Sequence, residues 1–425
     1  MTDDWGPHVV SAGAAIVVVD VPVGTPMTGY AARLETSSGV HDPVTVRALV
    51  IDDIGIVVVD CCALRKTTCG ELRATRPAGL LDVVIAVTHT HSGPCLTPGG
   101  LGSFAPDVLH AVEKAFVEAL TTARHRRIPV TVRYGERRAV GVGRNRRHDD
   151  VEIDPPVQVV SFDGAAGTVA TLVTYPMHPV VLSAANTLIS ADYVGPLRDM
   201  VESVLAGSIC LFAQGCAGDV NDDRHSAEGD FSAAPTPGRD FAAASATGQI
   251  VAAAALDALR HATTLAPART TMTTRTVPLD VTALDPAEVT ADREEWVRLA
   301  ESLPPERSAL YEAWAAWADD WLEQRPTPSR WLGRVGLITV GALRIATLPG
   351  EPFLAVADRV RGGLGEHTIV LGYCDGVSGY LPTVDEYEFG GYEVCDAHRY
   401  YGMPGPYAQG SAERLADAAI SLGEN

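Results

Sequence analysis

Three β-branched runs crowd into the first ninety residues: Val44-Thr-Val-Arg-Ala-Leu-Val-Ile51, Gly55-Ile-Val-Val-Val-Asp60 and Asp82-Val-Val-Ile-Ala-Val-Thr88. Short apolar runs of this composition read as strands. Ala14 to Asp20 has the same character, and its apolar stretch is too short to span a bilayer. Helical periods follow at Pro106–Arg124, opened by a proline in its first turn, at Val194–Leu205 and in the alanine-rich Phe241–Ala262. Further strand patterns lie at Val130–Arg133, Val157–Ser161, Thr168–Tyr175, Ile209–Ala213, Val335–Val340 and Leu343–Leu348. Strands alternating with helices predict an α/β chain of mixed β-sheets flanked by helices.

The 425 residues show no internal repeat and no linker long enough to force a cut, so residues 1–425 are read as one domain. One stretch differs in character. Residues 286–324 set Trp296, Tyr311, Trp314, Trp317 and Trp321 among many charges, and Pro304-Pro305 interrupts them. A helical hairpin inserted in the main domain fits. Its tryptophans either pack the two helices together or serve as a substrate lid or dimer surface, so a homo-oligomer stays open. Ser226–Asp240 reads as an exposed loop, and Ser411–Asn425 has room for one closing helix.

Composition narrows the function. The chain carries 33 Lys+Arg against 53 Asp+Glu, a net charge of −20. Such a surface is repelled by phosphate backbones and anionic headgroups, so neither nucleic-acid binding nor stable membrane association is expected. Arg144, Arg146, Arg147 and His148 form a local basic exception. The eight cysteines form no CxxC pair, and Met1–Trp5 carries aspartates instead of a basic leader. A cytoplasmic protein is expected. Gly141-Val-Gly143 lacks the rest of a dinucleotide fingerprint, and no Walker A string occurs.

Four segments carry chemistry. Thr88-His-Thr-His-Ser-Gly-Pro94 puts His89 and His91 at the end of a strand, where two imidazoles can converge on one cation. Pro176-Met-His-Pro179 places His178 after another strand, followed by Asn186, Ser190 and Asp192, which could orient ligands from outside. Leu348-Pro-Gly-Glu-Pro352 presents Glu351 in a turn, where a plain solvated carboxylate is the alternative. Gly379-Tyr-Leu-Pro-Thr-Val-Asp-Glu-Tyr387 and Gly391-Tyr-Glu393 add tyrosines. Singly, each segment reads as well as ordinary structure.

Together they resemble the neutral/alkaline, non-lysosomal ceramidase family in its catalytic domain. The resemblance runs from Pro22-Val-Gly-Thr-Pro-Met-Thr-Gly-Tyr30, through the histidine string and Gly143-Arg-Asn-Arg146, to the tyrosine segment, and so covers most of the chain. It implies a ceramidase-like catalytic fold. It further implies one zinc ion per chain, held by His89, His178, Glu351 and Tyr380. His91 would then face the bound water or the substrate, Arg146 the substrate's polar head, and Tyr392 would be a second active-site tyrosine. Imidazoles and a carboxylate on zinc suit hydrolysis of an amide or related acyl bond. The same donors accept iron or manganese.

Three departures from the family shape the substrate expectation. Gly215-Cys-Ala-Gly-Asp-Val-Asn221 has Asn221 where the family's proposed catalytic serine would align, and Cys216 nearby is a conceivable nucleophile. The chain ends soon after the tyrosine segment, where the family continues into a β-sandwich. No secretory leader is visible, whereas secretion is usual in the family. A shortened cytoplasmic relative is expected to cleave a small N-acylated or amide-containing metabolite, with Tyr400, Tyr401 and Tyr407 available to line its pocket. An esterase or lactonase on the same fold is one alternative, and an inactive metal-stabilised binding protein another. The presence of His91, Arg146 and Tyr392 favours an active enzyme.

Overall fold

The computed structural model describes residues 9–99, 102–139, 141–222, 235–326 and 330–424. The amino-terminal residues read above for a leader, and most of the expected 226–240 loop, lie outside them. A nine-stranded sheet contains β1 (Val10–Val19), β2 (Val44–Ile51), β3 (Ile54–Val59), β4 (Asp82–Val87), β5 (Ile128–Arg138), β6 (Pro156–Gly164), β7 (Gly167–Thr174) and β8 (Ile209–Phe212). Their order is β8-β7-β6-β5-β1-β2-β3-β4, with the short Thr263–Thr264 added against β5. The β3–β4 and β7–β8 pairs are parallel and the others antiparallel. Its two halves meet where Val10, Ser11 and Ala12 pair with Val130, Pro129 and Ile128. A second sheet has the order β9 (Thr271–Asp280), β10 (Arg330–Val340), β11 (Leu343–Thr347), β12 (Thr368–Leu371), and its last pair is parallel.

The unbroken apolar runs now have a reason. In β2, Val44, Val46, Ala48 and Val50 point into one core, while Leu49 and Ile51 point into another. Successive side chains alternate faces, so a strand buried on both faces is apolar at most positions, and the buried exceptions Thr45 and Arg47 are bonded to Asp60 and Glu202. One core lies between the two sheets, where Leu49, Ile56 and Phe162 meet Ile338, Ile345 and Ile369. Helices cover the outer faces. Helix α1 (Lys66–Ala74) and α2 (Pro106–His125) pack on β2–β4 through Leu72, Val112 and Phe116. Helix α3 (Val194–Val204) and α4 (Phe241–Arg260) cover β6 and β7. Helix α4 is long and apolar enough to cross a membrane, but Val251, Ala255 and Leu259 are buried in that core.

The second sheet's outer face is covered by α7 (Leu354–Leu364) and α8 (Ser411–Ser421), with Val360 and Leu415 against Leu337 and Val370. Between β9 and β10, α5 (Pro286–Ser302) and α6 (Pro305–Gln324) break at the proline pair, because proline lacks a donor and starts the second helix at its first turn. Trp296, Ala318 and Trp321 form the pair's own core. The indoles of Trp317 and Trp321 also donate to the carbonyls of Met403 (3.0 Å) and Pro404 (2.8 Å), tying the hairpin to the tyrosine-bearing tail. Helices α1 and α7 and strands β9 and β12 escaped the sequence reading. The threonine-rich β9 is largely exposed and lacks an apolar signature.

Candidate metal centre

Each chemistry-bearing segment leaves the carboxyl end of a strand. His89 follows β4, His178 follows β7, Glu351 follows β11 and Tyr380 follows β12. His89 has a positive φ of 64°, which ends the strand and swings the imidazole inward, while its N–H donates to the Cys61 carbonyl (3.0 Å). The His178 N–H donates to Val220 (3.0 Å). Glu351–Pro352 pairs in parallel with Tyr380–Leu381, which sets Glu351 directly opposite Tyr380. At Gly218 a Cβ would lie 2.5 Å from the Glu351 carbonyl oxygen, so only glycine allows this close approach. Gly29, at φ +113°, lets the amino-terminal turn close over His91 in the same way.

His89 Nδ1 donates to the Cys62 carbonyl (2.6 Å), and His178 Nδ1 to that of Ala217 (2.7 Å). Those bonds fix the tautomers and leave both Nε2 atoms facing the Glu351 carboxylate, at 3.3 Å and 3.1 Å from Oε2. Tyr401 donates its hydroxyl to the other oxygen, Oε1. The Tyr380 hydroxyl lies 3.5 Å from His178 Nε2. His89, His178 and Glu351 are buried to within 1%. Three buried lone-pair-bearing atoms converging on one point repel one another unless a proton or a cation sits among them. Two nitrogens, a carboxylate and a nearby phenol form a donor set that zinc accepts.

The titration behaviour shows the same frustration. Burial opposes an imidazolium at His89, yet Cys62 and Glu351 outweigh it and lift His89 to about 10. Burial, reinforced by Arg146 and His89, pushes His178 down to about 4. Burial also disfavours the Glu351 carboxylate, but the two imidazoles hold it well below the usual range. A cation held by these three groups would take the place of the His89 proton in this balance.

His91 Nε2 lies 3.3 Å from His89 Nε2, and its Nδ1 is buried without a hydrogen-bond partner. Burial, with His89 and His178 alongside, keeps it far below 6.5 and therefore neutral. Above it a cavity of about 60 Å³ is bordered by Tyr380, Tyr392, Tyr400, Tyr401, Cys62 and Arg65. Tyr392 stands at the mouth, 39% exposed, its ring 5.6 Å from that of Tyr380. Arg146 sits 5.0 Å from the Tyr380 ring, and its Nη2 is 2.6 Å from Glu393. It therefore reaches the cavity through Tyr380.

Several expectations are corrected here. Glu351 is no solvated turn carboxylate; it is fully buried. Asn186, Ser190 and Asp192 bind Ser92, Asp42 and backbone N–H groups, so the orienting partners of the imidazoles are the Cys62 and Ala217 carbonyls instead. Cys216 lies in the core of the second sheet, and burial raises its thiol far above the ordinary value, which disqualifies it as a nucleophile. Asn221 instead accepts from Arg146 (3.4 Å). The basic patch is neutralised: Arg144 pairs with Asp149, Arg147 with Glu386 and Glu393, and His148 with Glu386. Tyr407 faces the core, hydrogen-bonded to Ser378. Cys62, which joins His89 and His91 in a second potential donor group, carried no signal beyond its place after a strand.

Comparison with known proteins bears on this geometry. No family model matches the chain. The neutral ceramidase of Pseudomonas aeruginosa is 30% identical over 236 residues, which is 46% of this chain and 34% of that protein, so the matched region spans about a third of the relative's length. The crystal structure of neutral ceramidase from Pseudomonas aeruginosa superposes with a TM-score of 0.75 at 20% identity, over 99% of this chain and 75% of that one. The chain is thus similar to neutral ceramidase in sequence over part of its length and in fold over nearly all of it. A ceramidase complexed with C2 gives a TM-score of 0.73, also at 20% identity, covering 98% and 75% of the two chains. The neutral ceramidase fold is thus present over the whole described chain, with its mixed sheets and flanking helices.

Proposed function

We propose that the chain is a zinc-dependent hydrolase that cleaves an amide bond in a small N-acylated or amide-containing metabolite. The carrying observation is the buried convergence of His89 Nε2, His178 Nε2 and Glu351 Oε2 beneath a tyrosine-lined cavity. Similarity to neutral ceramidase, in sequence over 236 residues and in fold, supports the amide as the bond class. His89, His178 and Glu351 would hold one zinc ion, with Tyr380 beside them. When bound, zinc would acidify a water and polarise the carbonyl.

The remaining steps belong to side chains. Neutral His91 takes and returns a proton at Nε2, the atom turned toward the cluster. Tyr392, at the mouth, donates its hydroxyl to the developing oxyanion. Arg146, held by Glu393, acts through Tyr380: its charge counters the burial that raises that phenol. Tyr401 fixes the Glu351 carboxylate from behind. The net charge of −20 argues for a soluble substrate over one drawn from an anionic membrane. Eight unpaired cysteines support a reducing, cytoplasmic setting.

Elemental analysis of the purified protein and of His178→Ala, paired with hydrolysis of N-acyl amides, tests the reading. About one zinc per wild-type chain, little in the variant and zinc-dependent amide cleavage is the expected result. A wild type that binds no zinc and cleaves no amide when zinc is added would refute it.

A further inference from the structure

The cavity over the cluster is too small for a whole substrate. At about 60 Å³ it holds a few waters, whereas pockets that enclose organic ligands run to roughly 300–1,000 Å³. A second cavity of about 530 Å³ lies between the helical hairpin and the tail, lined by Trp314, Trp317, Trp321, Met403 and Pro404. Arg65 and Tyr400 line both. The two are therefore neighbouring compartments with a shared wall.

The arginines near the two compartments are unequally occupied. Arg146 is neutralised by Glu393, and Arg33 is spent on the carbonyls of Thr28, His91, Ser183 and Asn186. Arg399 is sandwiched by Trp296 and Trp314 and paired with Asp396. Among the described residues the Arg65 side chain has neither a hydrogen bond nor an ion pair, and its Nε is buried without a partner. The Trp314 Nε1–H is likewise buried and unpartnered. Unpaired buried donors are costly and mark where an acceptor belongs. A guanidinium is the side chain best shaped for a carboxylate.

We propose that the tryptophan groove is the second substrate compartment, holding an apolar or aromatic arm, and that Arg65 at its junction with the cavity binds a carboxylate of the same molecule. The substrate class is then an anionic amide, an acylated amino acid being the simplest form. Asp320, also along the groove, disfavours a second negative charge at the far end. The inference rests on the amidohydrolase reading for the cleaved bond, but the subsite binds without turnover.

The test is a titration of the purified holoprotein with 4-phenylbutanoate and its neutral isostere 4-phenylbutanamide, followed by calorimetry and tryptophan fluorescence. Wild type is expected to bind the carboxylate about tenfold tighter, the value of one charge-assisted hydrogen bond. In Arg65→Met that ratio falls to about one, while Arg65→Lys retains part of it. Thermal melting of each variant checks that it folds, and the lysine variant carries the test if the methionine variant does not. Equal affinity of wild type for both probes overturns the subsite, as does a preference that survives in Arg65→Met, which would place the carboxylate on the metal. Amide hydrolysis without carboxylate preference removes the subsite alone. Arg65-dependent preference without amide hydrolysis keeps the subsite and removes the catalytic reading.

Discussion

Two buried clusters of ionisable groups lie in the same fold, and they are built on opposite principles. In one, Asp60 receives Arg198 through two bonds of 2.8 and 3.1 Å and also the Thr45 hydroxyl and N–H, while neighbouring Arg47 is bound to Glu202 and the Cys210 carbonyl. Each charge there has an opposite partner. In the other, the Glu351 carboxylate faces the Nε2 atoms of two imidazoles, which only a shared proton or a cation reconciles. A closed cluster is complete when the chain folds; an open one is complete only with something from outside. Burial alone does not distinguish them, since both are almost fully inaccessible. The direction in which the lone pairs point does.

That contrast can be broken by substitution. Glu351→Gln keeps the shape and removes the charge, and should abolish zinc binding and lower kcat/KM by at least about 10³-fold, with a small change in melting temperature. Arg198→Met should do the reverse: it leaves Asp60 buried and uncompensated, costs about 3–5 kcal/mol in chemical denaturation and spares zinc stoichiometry. If Glu351→Gln proved the more destabilising of the two, the division into open and closed clusters would fail.

Tyr401→Phe sharpens the comparison by removing the hydroxyl that orients Glu351 while retaining the ring. It should weaken zinc affinity or kcat/KM by about 10–100-fold, read by competition with a chelator and by kinetics. A pH series probes the closed cluster. Burial opposes ionisation of Asp60, but Arg198, Thr45 and Arg47 hold it below its ordinary 3.8. Its contribution is therefore full above that value and lost as pH falls through the lower folded value. The stability gap between wild type and Arg198→Met should be largest near pH 7 and narrow as pH falls, first as the uncompensated Asp60 of the variant takes up a proton and then, below pH 4, as wild-type Asp60 does. The smallest effect is expected at Cys216→Ala: about 1 kcal/mol of stability from the core and less than about a twofold change in kcat/KM.

Much of this was legible in the chain because strands and helices announce themselves by periodicity. The runs at 44–51, 54–59 and 82–87 were readable since both faces of each are buried, whereas polar, exposed β9 was not. His89, His178, Glu351 and Tyr380 could be named as a set only through the family resemblance that their segments carry together, and the structure places the four side by side. Their supports could not be named. The Cys62 and Ala217 carbonyls are backbone atoms, which carry no residue signature. Cys216 looked chemically active beside a glycine and proved inert, because reactivity depends on surroundings that sequence spacing does not encode.

The sequence by itself determined where the buried apolar strands of the large sheet lie and which residue types stand at their carboxyl ends, because local pattern and covalent chemistry suffice for both. Tertiary structure decided the rest. The same residue types can close into a neutral ion pair or remain open toward a cavity. Which occurs depends on contacts between segments far apart in the chain: Glu351 against Tyr380, Arg146 against Glu393, and Arg65 left without a partner between two compartments.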